Sequence, residues 1–163
     1  MAMEANEREP ATFTETWTVR YDYATGEVAG AFMDGLKRRK ILATRCSKSG
    51  LTYLPPRAYC ERSFEKCDGW VEAGEEGVIE ASTIVTRGFE GSRTPPFAIA
   101  FVRLDGVDSA IVNYVEGIDL SDIRAAAARI RPGTRLRVKF VDEPRGRITD
   151  FYFVPVDQRA RTP

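Results

Sequence analysis

The sequence predicts a mainly β protein with an N-terminal helix, in which a degenerate zinc ribbon precedes a five-stranded OB-fold barrel. Three observations predict this fold. A stretch with helical spacing of apolar residues comes first, two cysteines with ribbon-like surroundings follow it, and five stretches rich in β-branched and aromatic residues fill the remainder. We therefore divide the chain into an N-terminal arm (1–24), a helix and zinc-ribbon-like segment (25–70), an OB-fold domain (71–157) and a C-terminal tail (158–163).

The composition fits a protein that buries a core and stays in solution. Hydrophobic residues make up 43% and charged residues 29% of the 163 residues. Lys+Arg and Asp+Glu are equal at 24 each, and this zero net charge argues against a general nucleic-acid binder. The N-terminus lacks the basic and apolar regions of a signal peptide, and no apolar run is long enough to span a membrane. Three cysteines make a poor disulfide framework, so we predict a cytoplasmic location with reduced thiols or a metal–thiolate cluster.

Histidine is absent from the sequence. This excludes Ser-His-Asp and Cys-His nucleophile pairs, histidine general bases and histidine metal ligands. Any metal would need Cys, Asp or Glu ligands. Any acid–base chemistry would need a carboxylate, Lys, Tyr or Cys, so the sequence disfavours an independent enzyme, and we assign no catalytic residues.

The N-terminal arm carries aromatic residues at alternate positions, Trp17, Tyr21 and Tyr23. Exposed aromatic side chains on a free segment suit burial against a partner protein. Packing on the chain's own barrel is the alternative, and the sequence leaves both open.

The helix is predicted over residues 25–42. Its apolar stripe has spacing i, i+3, i+4 and i+7 and consists of Ala29, Phe32, Met33 and Leu36. Basic residues near its end suit the helix dipole; they are Lys37, Arg38, Arg39 and Lys40. This basic run is either a solvated helix end, as charge runs usually are, or a site for the phosphates of a ligand.

Two cysteines stand where a zinc ribbon would have two pairs. Cys46 is followed by Ser49 and Cys60 by Ser63, so a serine replaces the second cysteine of each pair. A structural zinc site needs four ligands, mostly thiolates. Cys67 could supply a third thiolate, so that Cys46, Cys60 and Cys67 hold zinc with a fourth ligand from Asp68, Glu61 or water. The alternative is a metal-free ribbon held by apolar side chains, namely Leu51, Tyr53, Phe64 and Trp70.

The β region begins after Trp70. The five predicted strands lie within residues 77–89, 96–106, 109–117, 134–141 and 147–156, and a short helix over 121–130 separates the third from the fourth. Five strands with a helix at this place are typical of an OB-fold.

The last two predicted strands carry a second possible site. The fourth alternates between apolar residues and a basic stripe of Arg135, Arg137 and Lys139. OB-folds bind single-stranded nucleic acid through such a stripe when aromatic residues interleave with it. Phe151 and Phe153 share one face of the fifth strand, and we predict them in the core.

Three features together resemble the DUF35 family. They are the basic helix ending "FMDGLKRRKILATRC", the ribbon-like pattern C-x-x-S-G…PPR-x-x-C-x-R-x-F…W, and the last strand ending "FVPV". The resemblance covers residues 20–156 and implies a helix, a rubredoxin-like zinc ribbon and an acyl-CoA-associated OB-fold. The most specific match is Pro55-Pro56-Arg57, and Ser49 and Ser63 depart from the family pattern.

The resemblance implies a non-catalytic accessory subunit of an acyl-CoA thiolase-type complex. The partner would be a thiolase-like catalytic subunit or a MaoC-like hydratase, and a heterotetramer is the expected assembly. The partner would cleave a bulky acyl-CoA by thiolysis or retro-aldol chemistry, as in β-oxidation-type degradation of aromatics or steroids. The coenzyme A thioester would be the ligand of the complex, with zinc as the cofactor if the ribbon retains it.

Five basic residues are the candidates for coenzyme A binding under this hypothesis, namely Lys37, Arg38, Arg39, Lys40 and Arg57. Arg57 could equally form a cation–π pair with Trp70. Two other hypotheses stay open. One is an OB-fold single-stranded nucleic-acid-binding protein, and the other is a small enzyme that uses Cys60 or Cys67 as a nucleophile.

Overall fold

The computed structural model describes residues 11–156. Two helices, eight strands and a short 3₁₀ helix follow one another along this part of the chain. They are α1 (Gly26–Lys37), β1 (Leu42–Arg45), β2 (Thr52–Tyr53), β3 (Gly69–Glu72), β4 (Glu76–Val85), β5 (Phe97–Leu104), β6 (Ile111–Val115), α2 (Ile123–Arg129), β7 (Arg135–Phe140), the 3₁₀ helix (Ile148–Asp150) and β8 (Phe151–Pro155).

The strands form two sheets. The first three make a small antiparallel sheet of order β2-β1-β3, and the other five close into a barrel of order β4-β5-β6-β8-β7. Neighbours in the barrel are antiparallel except β6 and β8, which run parallel. Helix α2 lies between the third and fourth barrel strands, as predicted, and the Asp122 side chain caps it by accepting a hydrogen bond from Ala125 N at 3.0 Å. The predicted fold class, a ribbon followed by a five-stranded OB-fold, is confirmed.

The barrel is filled by apolar side chains from alternate positions of its strands. Leu136, Phe151 and Phe153 are fully buried, as the period-two pattern predicts. The rings of Phe151 and Phe153 meet edge to face with centroids 5.7 Å apart. Burying each such ring contributes roughly 1.5–3 kcal/mol, so this interior is the main source of stability of the fold.

Helix α1 packs on the same core but is shorter than predicted. Phe32 and Leu36 are buried with the barrel residues. The helix ends at Lys37, because Arg39 adopts a left-handed conformation (φ 59°) and the chain turns back toward β1. A side chain at Gly35 would come within 2.9 Å of Leu42, so this tight return requires a glycine. The basic run therefore lies mostly beyond the helix end.

The small sheet is tied to the barrel by hydrogen bonds in both directions. Thr52 N donates to Asp108 Oδ2 at 2.8 Å, and Asp108 N donates to Thr52 O at 2.9 Å. Directly after β2, Leu54 N donates to Ser109 Oγ at 2.7 Å, and this hydroxyl donates to Leu54 O at 3.0 Å. The turn between β5 and β6 thus holds one edge of the ribbon in a fixed position.

A buried carboxylate organises the loop before β8. Asp150 Oδ2 accepts hydrogen bonds from three successive backbone amides, those of Arg145 (2.7 Å), Gly146 (2.6 Å) and Arg147 (2.8 Å). Asp150 is 5% exposed. These charge-assisted bonds fix the loop against which α1 packs.

The described part of the arm, residues 11–24, has no helix or strand. Its aromatic side chains are exposed, with Trp17 at 81% and Tyr23 at 75%. They do not pack on the chain's own barrel, which was one of the two open alternatives. No helix within residues 11–156 is long and apolar enough to cross a membrane.

Candidate functional site

The ribbon carries two turns of the same form, each beginning at a cysteine. In the first, Gly50 N donates to Cys46 O at 2.8 Å and Cys46 N donates to Leu51 O at 2.9 Å. In the second, Phe64 N donates to Cys60 O at 3.0 Å and Cys60 N donates to Glu65 O at 2.9 Å. The fifth residue of each turn has a positive φ, 76° at Gly50 and 58° at Phe64. This shared geometry brings the cysteine and serine of each turn to one place.

The four side chains pair crosswise between the turns. A hydrogen bond of 3.4 Å joins Cys46 Sγ to Ser63 Oγ, and one of 3.3 Å joins Cys60 Sγ to Ser49 Oγ. A hydrogen bond of 3.2 Å joins the Tyr53 hydroxyl to Cys60 Sγ. Cys46, Cys60 and Tyr53 are buried. We call Cys46, Ser49, Cys60, Ser63 and Tyr53 the thiol–hydroxyl cluster.

The cluster changes the acidity of its thiols. Burial raises the pKa of Cys60, but hydrogen bonds from Ser49, Ser63 and Tyr53 outweigh it and lower this pKa to about 5. The Ser63 hydroxyl, followed by Ser49, lowers the pKa of Cys46. The hydrogen bond to Cys60, with burial, raises the pKa of Tyr53 to about 12. The cluster therefore stabilises negative charge on sulfur through hydrogen bonds from hydroxyl groups.

Cys67 stands apart from the four turn positions. Its backbone N donates to Ala58 O at 2.9 Å, and its side chain is partly exposed. Burial raises the pKa of its thiol, which does not suit a nucleophile. Cys60 has the lower pKa, but it is only 1% exposed. Neither the raised pKa of Cys67 nor the burial of Cys60 favours the hypothesis of an enzyme with a cysteine nucleophile.

The basic run is distributed among separate partners on the surface. Lys37 pairs with Asp34 at 2.8 Å and Lys40 with Glu72 at 2.8 Å, and all four side chains are about half exposed. Arg39 Nη2 donates to the backbone O of Asp142 at 2.6 Å. Exposed ion pairs of this kind contribute little to stability, so a phosphate could replace them at low cost.

Arg57 lies on the ribbon with partners of its own. Its backbone N donates to Thr44 Oγ1 at 2.8 Å, and its guanidinium pairs with Glu61. The guanidinium carbon lies 5.0 Å from the centroid of the Tyr53 ring. The cation–π contact of Arg57, for which Trp70 was one of two alternatives, is made on Tyr53, and Trp70 lies on β3 with 46% exposure.

The two arginines of the basic stripe on β7 are paired with acidic neighbours. Glu76 accepts from Arg137 at 2.6 Å and from Arg135 at 3.2 Å, and Asp105 accepts from Arg135 at 2.6 Å. Phe151 and Phe153 face the core and offer no surface for stacking bases. This geometry does not favour the nucleic-acid hypothesis.

An apolar surface covers the outside of three barrel strands. Register pairing places Phe101 beside Val112, and Ile99 beside Tyr114, on β5 and β6. Phe101 is 48% and Val112 41% exposed. We call the outward residues of this surface the outer apolar face: Val85, Phe97, Ile99, Phe101, Val112 and Tyr114. Arg103 forms an ion pair with Glu80 at 2.8 Å and Arg93 one with Glu116 at 2.6 Å, and the Arg93 guanidinium carbon lies 4.7 Å from the centroid of the Tyr114 ring.

The chain matches two family profiles that adjoin one another. Residues 33–69 match the profile described as "ChsH2, rubredoxin-like zinc ribbon domain", and residues 70–141 match "ChsH2, C-terminal OB-fold domain". Together they cover more than half of the chain, in the order that the fold shows. The chain belongs to the DUF35 family. A search of curated proteins found no match.

Solved structures share the fold of this DUF35 chain. A structure described as "Ltp2-ChsH2(DUF35) aldolase" aligns with a TM-score of 0.64 at 18% sequence identity, over 82% of this chain and 98% of that chain. A DUF35 protein of unknown function from Sulfolobus solfataricus aligns with a TM-score of 0.58 at 24% identity, over 80% of this chain and 87% of that chain. At these identities the likeness establishes the architecture of ribbon and barrel.

The family's zinc ribbon raises the question whether this DUF35 chain can hold zinc. Its four turn positions offer two thiols and two serine hydroxyls, and hydroxyls stay protonated near neutral pH and bind zinc poorly. Within residues 11–156, no three Cys, Asp or Glu side chains form a group that could hold a metal ion. The two proposed fourth ligands have other partners: Asp68 accepts from Ser47 Oγ at 2.6 Å, and Glu61 pairs with Arg57. This donor set does not fit a structural zinc ion, and the predicted ligand set of Cys46, Cys60 and Cys67 stays a prediction.

The predicted metal-free core of the ribbon needs correction. Phe64 is 83% and Trp70 46% exposed, so neither fills the ribbon. The buried cluster consists instead of Cys46, Tyr53 and Cys60, with Leu51 and Cys67 packed against it. The polar role of Tyr53 and of the two serines was not predicted from the sequence. The signal available in the sequence was that both cysteine replacements are serine, a hydroxyl of nearly the same size as a thiol.

Proposed function

We propose that this chain is a non-catalytic subunit of an acyl-CoA thiolase-type complex. It docks on a thiolase-like catalytic subunit and helps to hold a bulky acyl-CoA while the partner cleaves it by thiolysis or retro-aldol chemistry. The observation that carries the proposal is the outer apolar face on a barrel whose family includes a chain solved in an aldolase structure. The absence of histidine from the sequence fits the assignment of the chemistry to the partner.

The outer apolar face is the docking surface for the catalytic subunit in this proposal. Exposed apolar patches bordered by polar residues are typical of protein interfaces, and Phe101 and Tyr114 are residue types enriched there. Polar pairs beside the patch, such as Arg103 with Glu80, would form the rim. Because the face lies on a rigid barrel, binding costs little ordering of the backbone.

The N-terminal arm is a second contact with the same partner. Five exposed apolar residues occupy odd positions, so an extended backbone would put them all on one side; they are Phe13, Trp17, Val19, Tyr21 and Tyr23. A segment of this pattern suits burial along the surface of the catalytic subunit.

The basic run and Arg57 are the proposed contacts of coenzyme A. Lysine and arginine match the charge and geometry of the phosphates. Their present partners are exposed carboxylates or a backbone oxygen, which a phosphate can displace. The two groups would act at separate points, because each has its own neighbours on the surface.

Affinity purification of the full chain from its native host tests the proposal. We expect a thiolase-like chain to co-purify, and the complex, but neither chain alone, to cleave an acyl-CoA. The double variant Phe101→Asp/Val112→Asp should lose the partner and keep a wild-type circular dichroism spectrum. The matched control Lys139→Asp changes an exposed strand residue away from the face and should keep the partner.

Two results would overturn parts of this proposal. Acyl-CoA cleavage by this chain alone would overturn the non-catalytic assignment, and a thiolase-like partner retained by the double variant would overturn the docking surface. Micromolar affinity for single-stranded oligonucleotides that falls steeply with salt would favour the nucleic-acid function instead.

For coenzyme A, Arg38→Glu should raise KM and leave kcat unchanged in the complex, because it removes ground-state binding.

A further inference from the structure

We propose that the ribbon of this chain is held closed by the thiol–hydroxyl cluster and folds without zinc. This inference concerns the ribbon alone and does not rest on the proposed function. It begins from the backbone, because the two turns already have their hydrogen bonds and need no ion to form. Gly50 N to Cys46 O and Phe64 N to Cys60 O close the two turns at 2.8 and 3.0 Å.

The serine hydroxyls are oriented toward the sulfurs by bonds within their own turns. Leu51 N donates to Ser49 Oγ at 3.2 Å, and Glu65 N donates to Ser63 Oγ at 3.4 Å. Each backbone amide occupies one lone pair of the hydroxyl oxygen. The hydroxyl keeps its own proton and a second lone pair for another hydrogen bond. Between the turns, either atom can donate in the bond of Ser63 Oγ with Cys46 Sγ, and Cys60 Sγ donates to Ser49 Oγ.

The sulfur of Cys60 has further hydrogen-bond partners. The amides of Arg62 and Ser63 donate to Cys60 Sγ at 3.4 Å each, and the Tyr53 hydroxyl bonds to it at 3.2 Å. In a zinc ribbon, the metal joins the two turns through four thiolates. Here two crosswise bonds between sulfur and hydroxyl join them, and Tyr53 adds a third bond from β2.

Two surface contacts also join or brace the turns. Lys48 of the first turn pairs with Glu65 after the second at 2.8 Å. Asp68 accepts from the amide of Ser47 at 3.0 Å and from its hydroxyl at 2.6 Å. Asp68, a carboxylate predicted as a possible fourth zinc ligand, is thus engaged in bracing the ribbon.

Elemental analysis of the purified full chain tests this inference, together with hydrogen exchange of the ribbon amides in the presence and absence of a chelator. We expect far less than one zinc per chain and the same exchange protection of residues 42–72 with and without chelator. A stoichiometric zinc whose removal abolishes this protection would overturn the inference.

Restoring the missing cysteines supplies a second measurement. The double variant Ser49→Cys/Ser63→Cys should bind about one zinc per chain, with ribbon protection that a chelator now removes. Adding two cysteines elsewhere, as Ser92→Cys/Ser121→Cys, should bind none. If the variant does not fold, the measurements on the wild-type chain still decide.

Removing the hydroxyls tests the cluster itself. Ser49→Ala/Ser63→Ala should lose exchange protection at the two turns while the barrel amides keep theirs. Ser121→Ala, a serine outside the ribbon, should change neither. Unchanged protection of the turns in the double alanine variant would overturn the role of the hydroxyls.

Discussion

The barrel and the ribbon are stabilised by different kinds of interaction. The barrel buries a continuous apolar core, in which Phe151, Phe153 and Leu136 are fully covered. The buried cluster of the ribbon contains only Cys46, Tyr53 and Cys60, and each of their side chains forms a hydrogen bond there. Apolar burial is non-directional and adds up with area, whereas the ribbon depends on the positions of a few polar atoms. The barrel should therefore respond to lost volume and the ribbon to lost hydroxyls.

The largest effect is expected from a cavity in the barrel. Phe153→Ala removes a fully buried ring at the contact between β6, β7 and β8 and should cost about 3–5 kcal/mol of unfolding free energy. Urea denaturation followed by far-ultraviolet circular dichroism measures this loss.

The control for this cavity is the same change on the outside of the barrel. Phe101→Ala deletes a ring that is 48% exposed and should cost about 1 kcal/mol or less in the free chain. Equal losses for the two variants would contradict the assignment of the barrel interior as the main source of stability.

A polar group in the barrel loop should have the next largest effect. Asp150→Asn removes the charge that accepts three backbone amides and turns part of the group into a donor, so we expect a loss of about 2 kcal/mol. Thermal unfolding measures it. Asp142→Asn neutralises an exposed carboxylate in the same connection and should leave the melting temperature unchanged, and a similar drop in both variants would rule out the buried bonds as the cause.

A hydroxyl of the ribbon should affect acidity more than global stability. Tyr53→Phe keeps the ring and deletes the hydrogen bond to Cys60, so the pKa of Cys60 should rise from about 5. Ultraviolet absorbance of the thiolate against pH measures this, with Cys60→Ser to assign the signal. Tyr59→Phe, on an exposed tyrosine of the same segment, should leave the titration unchanged.

The same shift predicts how ribbon stability depends on pH. A thiol in an unfolded chain has a pKa of about 8.5, above the folded value of Cys60. Ionisation of Cys60 therefore stabilises the folded ribbon above the unfolded pKa, and this contribution is lost as pH falls through about 5. Hydrogen exchange of the ribbon should show less protection toward pH 5, and less dependence on pH in Tyr53→Phe. Protection that increases as pH falls over this window would contradict it.

The smallest effect is expected at the surface of the ribbon. Lys48→Ala breaks an ion pair with Glu65 in which both side chains are more than half exposed, so global stability should change by no more than the error of a denaturation experiment. High salt should abolish any difference from wild type. A loss larger than that of Asp150→Asn would show that this pair contributes more to joining the turns than an exposed ion pair can.

The barrel could be predicted because its signal is periodic. Leu136, Phe151 and Phe153 follow the period of a strand with one buried face, and the capped helix at Asp122 stands between the expected strands. The end of α1 could not be predicted, because the basic residues at 37–40 are also typical of a last helical turn, whereas the left-handed residue at Arg39 turns the chain back. Gly35 gave a hint of the turn, but a glycine alone does not say where a helix stops.

The candidate sites were less predictable than the fold. Cys46 and Cys60 were found from their spacing, but the crosswise bonds with Ser63 and Ser49 depend on how two distant turns face each other. The outer apolar face was missed for a related reason. Its residues alternate with buried ones on β5 and β6, so the sequence shows only apolar strands, and the uncovered side appears once the barrel has closed.

The hydrogen bonds between β2 and the turn of β5 and β6 have a consequence for assembly. Thr52 and Leu54 hold the ribbon to Asp108 and Ser109 before any partner arrives. The ribbon and the outer apolar face therefore keep a fixed distance and angle to each other. A catalytic subunit that touches both surfaces meets a preorganised template, because the entropy of aligning them has already been lost in folding.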